Sequence, residues 1–245
     1  MAVARHKITS GFKRILKPFK NKQTGFVKNA SFINAVAIGN NYDADFESNN
    51  MTDYFDSYES YYTISPTIKY SGNYAMKVDM PSVGGGAGLL ALKTFDESFE
   101  VSETQLYVYY DSSGGSRNDD FTFSLRDELN NKLTTIDFRR EYIVNSYCWL
   151  NGTSSINCGT LPNDKWMRCT WSNIDYTAKT FDFEIYNETD SSSFFTVADV
   201  PFSSSDFDKL KKIEFSAASY SGIAYRYYMD NITINGELVK WQRII

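Results

Sequence analysis

Thr180-Phe-Asp-Phe-Glu-Ile-Tyr186 decides the fold. Phe181, Phe183 and Ile185 fall on one side of an extended chain, which leaves Tyr186 with the polar residues on the other. Period-two alternation of this kind marks a strand with one face covered and one face wet. Working outward, Tyr74–Met80 repeats the pattern through Tyr74, Met76, Val78 and Met80, and Phe121–Arg126 repeats it through Phe121, Phe123 and Leu125. Further strands fit Gln105–Tyr110, Lys132–Phe138, Trp166–Trp171, Lys212–Ser216 and Tyr225–Ile234. Turn clusters separate them, at Ser112–Ser116, Asn151-Gly152, Asn173–Thr177 and Ser203–Ser205. About ten to twelve strands at this spacing predict an all-β, two-sheet antiparallel sandwich. Ser205–Leu210 is the one helix-length stretch in this region.

The chain divides sharply by charge. Its first 42 residues hold eight of the 25 Lys and Arg and none of the 30 Asp and Glu. That places about +8 on residues 1–42 and about −13 on residues 43–245, within a formal total of −5. The predicted organisation is an extended basic N-terminal arm, 1–42, ahead of an acidic jelly-roll domain, 43–245. Phe12, Ile15, Leu16 and Phe19 recur at helical spacing between Lys13, Arg14, Lys17 and Lys20, so Ser10–Lys20 predicts an amphipathic helix that Pro18 shortens or kinks. These eight residues are the candidate docking surface for another protein chain, which implies a hetero- or homo-oligomer. An acidic body is not expected to bind nucleic acid, because phosphate contacts need a basic face. No run of 18 apolar residues occurs. Phe32–Ile38 is too short and too far from Met1 for a secretory leader.

Several catalytic chemistries close quickly. The only histidine is His6, in the arm, which excludes histidine-dependent triads and histidine zinc sites from the body. Three cysteines, Cys148, Cys158 and Cys169, are too few for a disulfide framework and read as reduced thiols, although Cys148 and Cys158 could bridge a hairpin. Gly84–Gly88 lacks the Lys-Ser/Thr of a phosphate loop. Glu184 and Glu188 bracket Tyr186 on one strand, a spacing that invites a glycosidase reading, but two exposed glutamates beside a turn explain it as well. The expectation is therefore a non-enzymatic chain. Sugar platforms stack pyranose rings on exposed aromatics, and Trp149 and Tyr186 are the candidates, with Arg126 as polar partner.

Four segments together resemble the concanavalin A-like and carbohydrate-binding-module jelly rolls, including laminin-G-like domains. They are Asp45-Phe-Glu-Ser48, Tyr70-Ser-Gly-Asn-Tyr-Ala-Met-Lys-Val78, Lys165–Thr170 followed by Phe181–Tyr186, and Tyr228-Met-Asp-Asn-Ile-Thr-Ile234. The resemblance spans roughly residues 43 to 240 and has no counterpart for the arm. It implies a structural Ca2+ shared by Glu47 and Asp230, since calcium takes six to eight oxygen ligands from carboxylates and carbonyls. It also implies a glycan-binding type of body. Arm and body together read as a structural or attachment protein of a larger assembly. A virus particle is the expected setting, with the chain decorating the capsid, forming a head fibre or sitting on the tail, and with host glycans as ligands. The alternatives are a secreted or cell-surface bacterial carbohydrate-binding protein, a glycan-cleaving enzyme, and membrane docking through Phe12–Phe19.

Overall fold

The computed structural model describes residues 4–7, 13–16, 42–80, 89–112, 119–141, 145–150, 156–219 and 225–235. In the basic segment, β1 (Ala4–Lys7) pairs antiparallel with β2 (Lys13–Leu16). Residues 13–16 are thus extended rather than helical. Pro18 removes a helical hydrogen bond just downstream. Phe12, Lys17, Phe19 and Lys20 lie outside the described residues.

The body opens with β3 (Tyr42–Ala44), a 3-10 turn at Met51–Asp53, β4 (Ser57–Tyr58), β5 (Tyr62–Ser65) and β6 (Ala75–Met80). There follow β7 (Leu89–Phe99), β8 (Thr104–Asp111), β9 (Asp119–Arg126), β10 (Lys132–Glu141), β11 (Asn145–Leu150) and β12 (Ile156–Leu161). The last five are β13 (Trp166–Asp175), β14 (Thr180–Asn187), β15 (Ser192–Pro201), β16 (Leu210–Ser219) and β17 (Tyr225–Ile234). One sheet runs β12-β11-β10-β9-β16-β7-β4. The other runs β15-β14-β13-β8-β17-β6-β5, with β3 added on β17. Every described pairing in the two sheets is antiparallel. The sandwich begins at Tyr42, whose ring is buried and whose hydroxyl donates to the Tyr54 carbonyl at 3.0 Å. Residues 205–210 form turns and the start of a strand, not a helix.

The alternating apolar positions of both sheets meet in one aromatic core. Phe121 lies 5.0 Å from Tyr227, Phe123 lies 5.0 Å from Phe215, and Trp171 lies 4.9 Å from Phe183. Such pairs add to the hydrophobic gain of burial when offset or tilted. The buried Trp171 indole N–H donates to Thr134 Oγ1 on the opposite sheet at 3.1 Å, so its polar atom is satisfied where water cannot reach. Cys148, Cys158 and Cys169 are all buried free thiols. Inward residues of the eight-stranded sheet are thus consumed by the core. Its outward residues are left for other work.

Candidate functional site

The outer face of the eight-stranded sheet carries an unusual share of rings. On β8, Leu106, Val108 and Tyr110 point into the core, so Tyr107 and Tyr109 point out. On β13, Met167, Cys169 and Trp171 point in, so Trp166, Arg168 and Thr170 point out. Strand register then sets the neighbours: Arg168 sits between Tyr107 and Tyr186, and Tyr109 between Trp166 and Tyr228. Trp166 and Tyr109 ring centroids are 5.4 Å apart, and those of Tyr109 and Tyr228 are 6.2 Å apart.

A loop between β5 and β6 lies over part of this surface, and two carboxylates hold it there. The strand β3 ends at Ala44, because Phe46 takes φ +61° and turns the chain under its own buried ring. Glu47 then accepts from Asn73 N–H at 2.7 Å, Tyr74 N–H at 3.0 Å and Asn73 Nδ2 at 2.9 Å. These bonds hold its carboxyl below the usual range. Asp230 stands at a bulge in β17, where Asn231 takes φ +45°. A bulge re-aims a side chain, and Asp230 accepts from Tyr70 N–H at 3.0 Å, Ser71 N–H at 3.1 Å and Asn231 N–H at 2.9 Å. Burial pushes its carboxyl up to about 6, against the pull of those amides. Gly72, at φ +57°, is required between them: a Cβ there would sit 2.2 Å from Glu47 Oε1.

Pinned in this way, Tyr70 stacks 4.2 Å from Tyr107 and meets the Trp166 edge at 5.8 Å. Its hydroxyl donates to Glu188 Oε2 at 3.2 Å. The other Glu188 oxygen pairs with Arg168 Nε at 2.8 Å, and the Arg168 guanidinium lies 5.2 Å from the Tyr186 ring centre. Burial raises Tyr70 to about 12 and also raises Tyr107, Tyr109 and Tyr228, so these hydroxyls stay protonated and can donate. Farther along the face, Lys77 and Arg226 both reach Asp79, at 2.6 and 3.2 Å, and Arg226 approaches Asp111 at 3.9 Å. Rings for stacking thus alternate with paired charges that can meet hydroxyl groups.

The sequence-predicted residues do not converge. Tyr186 belongs to this face, on β14. Trp149 stands on β11 of the opposite sheet, facing Asp137 across the ladder. Arg126, on β9 of that sheet, is paired with Glu214 at 2.6 Å. The sandwich therefore separates Tyr186 from the other two. Tyr70, Tyr107, Trp166 and Arg168 went unselected, though Gln-Leu-Tyr-Val-Tyr over 105–109 shows the signal: its polar-face positions are aromatic.

Glu47 and Asp230 do come together, joined through one loop, but as acceptors of N–H groups. All four of their oxygens hold such donors. Among the described residues, no group of three or more His, Cys, Asp or Glu could hold a metal ion. Both carboxylates are engaged by N–H groups of the loop in this structure.

No family model matches the chain, and no curated protein does. Solved structures match in fold. The cellulose-induced protein Cip1 aligns with 17% identity and a TM-score of 0.51, over 82% of this chain and 99% of its own. The alginate lyase Aly36B, in complex with an alginate trisaccharide, aligns with 13% identity and a TM-score of 0.53, over 82% and 100%. A carbohydrate esterase from a Shiga toxin-encoding bacteriophage aligns with 10% identity and a TM-score of 0.52, over 79% and 95%. By fold, the chain is a concanavalin A-like jelly roll. The concanavalin A-like sandwich expected from the sequence is the one observed. The expectation of a non-catalytic chain does not stand, because lyase and esterase are both built on this sandwich. Lack of a body histidine excludes only histidine-dependent chemistry. Tyrosine, arginine and glutamate, adjacent on this face, are also capable of acid, base and charge-stabilising roles.

Proposed function

We propose that the outer face of the eight-stranded sheet binds a glycan. One observation carries this: Tyr70, Tyr107 and Tyr186 lie around the Arg168–Glu188 pair on a face that the core does not use. Sugar rings offer apolar C–H faces to aromatic side chains and hydroxyls to charged ones, and binding sites generally combine such rings with a few placed polar groups. The fold of the carbohydrate-active neighbours supports the reading without naming a ligand. A glycan array, followed by affinity electrophoresis on the hits, tests it. Tyr70→Ala, Tyr186→Ala and Arg168→Ala should each weaken binding about tenfold or more, roughly the 1.4 kcal/mol that accompanies each decade, with melting temperatures retained. Unchanged affinity in all three variants would refute the assignment.

A second reading, cleavage of the bound chain, is favoured by Glu188 lying between the Tyr70 hydroxyl and the Arg168 guanidinium, with Glu184 on the same side of β14. Release of reducing ends or of unsaturated products by the wild type, abolished in Glu188→Gln, would establish it.

The basic segment, about +8 with no acidic residue, supports a further proposal: residues 1–42 join the sandwich to other chains of an assembly, such as a virus particle. Screening weakens exposed charge pairs over about 8 Å at physiological ionic strength, so docking should fall with salt. Removing residues 1–41 should leave a folded sandwich that no longer assembles. Normal assembly of the truncated protein would refute this.

A further inference from the structure

We infer that the ligand of this face is a neutral glycan rather than a polyanionic one. The inference rests on the glycan-binding reading and narrows its ligand class. Recognition of a uronate or sulfate chain requires cations with capacity left for the ligand's own anions. Among the described residues of this face, three cations are already matched by carboxylates. Arg168 is held by Glu188, Lys77 by Asp79, and Arg226 by Asp79 with Asp111 nearby. Lys69, on the pinned loop, donates to the Asn73 carbonyl at 3.3 Å and lies on the Glu47 side.

Additional negative charge surrounds these pairs. Glu184 points outward beside Thr170 on β14. Asp164 accepts from Tyr109 and from Ser112 at the β13 end of the face. Juxtaposing like charges across an interface is unfavourable, and this works against a charged chain. A neutral chain meets none of that repulsion. Its C–H faces fit Tyr70 and Tyr186, while its hydroxyls can donate to carboxylates and accept from the protonated tyrosines and Arg168.

The test uses the full-length protein against cello-oligosaccharides and mannan as neutral probes and alginate and heparin as polyanionic ones, in 50 and 500 mM NaCl. Because the basic arm can attract polyanions by itself, each probe is also run with Tyr70→Ala and with Tyr186→Ala, whose folding is checked by melting. A neutral probe should bind with less than about twofold change between the two salts and lose about tenfold or more in the variants. Polyanion retention should be unaffected by either variant and vanish at 500 mM NaCl. Glu184→Lys should increase alginate retention severalfold. A polyanion whose binding is lost in Tyr70→Ala would overturn the inference while leaving the glycan-binding face intact. If no probe of either class responds to Tyr70→Ala or Tyr186→Ala, the glycan-binding reading falls as well.

Discussion

Replacing Gly72 with alanine isolates the device that holds Tyr70 on the sheet. The substitution acts in two ways. A backbone at φ +57° costs a residue with a Cβ about 1–2 kcal/mol. Alanine also restricts the unfolded chain, which returns about 0.4–1 kcal/mol. The backbone effect alone is therefore about 1 kcal/mol, or about 2–4 °C in melting temperature for a chain of this size. The steric effect comes on top, since the new Cβ would lie 2.2 Å from Glu47 Oε1 and 2.5 Å from its carboxyl carbon. Glu47 must then leave the Asn73 and Tyr74 amides. Gly72→Ala should consequently lower the melting temperature by more than about 4 °C and weaken glycan binding, because the loop that carries Tyr70 loses one of the two carboxylates that hold it. In a Glu47→Ala background the clash is absent, and the same substitution should cost only the backbone effect of about 2–4 °C. Thermal melts of the four proteins form a double-mutant cycle. Equal costs of Gly72→Ala in both backgrounds would show that Glu47 does not occupy that space.

Chelation gives an independent check on the two carboxylates. Because Glu47 and Asp230 hold amides, millimolar EDTA should leave the melting temperature unchanged, whereas a fall of several degrees reversed by calcium would return the pair to metal binding. Stability should also vary with pH. Burial pushes Asp137 and Asp230 up to about 6 from an ordinary 3.8, so the folded state binds these protons more tightly than the unfolded chain. Their contribution to stability therefore declines as pH rises from about 4 to about 6 and stays low above that. Each costs about 3 kcal/mol at neutral pH, at 1.36 kcal/mol per pKa unit. The carboxyls held low, at Asp79, Asp182 and Asp190, contribute in full above their ordinary 3.8 and lose that contribution as pH falls through their lowered values. The protein should melt higher at pH 5 than at pH 7.5, and Asp137→Asn should narrow the gap; a lower melting temperature at pH 5 contradicts this assignment. In the core, Trp171→Ala should destabilise by about 3–5 kcal/mol in a denaturant titration, and a loss below 1 kcal/mol would mean that Trp171 does not bridge the two sheets.

The sequence by itself determined which side of each strand is apolar. Side chains alternate with a period of two in any extended chain, so Phe181, Phe183 and Ile185 had to share a face whatever lay opposite. Enough such strands, separated by turns, must bury those faces against one another, and the two-sheet sandwich follows. Charge likewise separated residues 1–42 from the rest without reference to coordinates. The site was not legible in this way. Tyr107, Trp166, Tyr186 and Tyr70 belong to four separate segments, and only the register of β8, β13 and β14, with the loop laid over them, makes them neighbours. Trp149 and Arg126 met the same compositional test as Tyr186, but their strands joined the opposite sheet. Glu47 and Asp230 carried the resemblance that suggested calcium, and their residue types were compatible with it. What the sequence did not show is that the bulge at Asp230 and the turn at Phe46 aim both carboxylates at backbone amides. Alternation along one strand is local and survives any topology. Which strands lie side by side, and where a bulge re-aims a side chain, are long-range outcomes of packing.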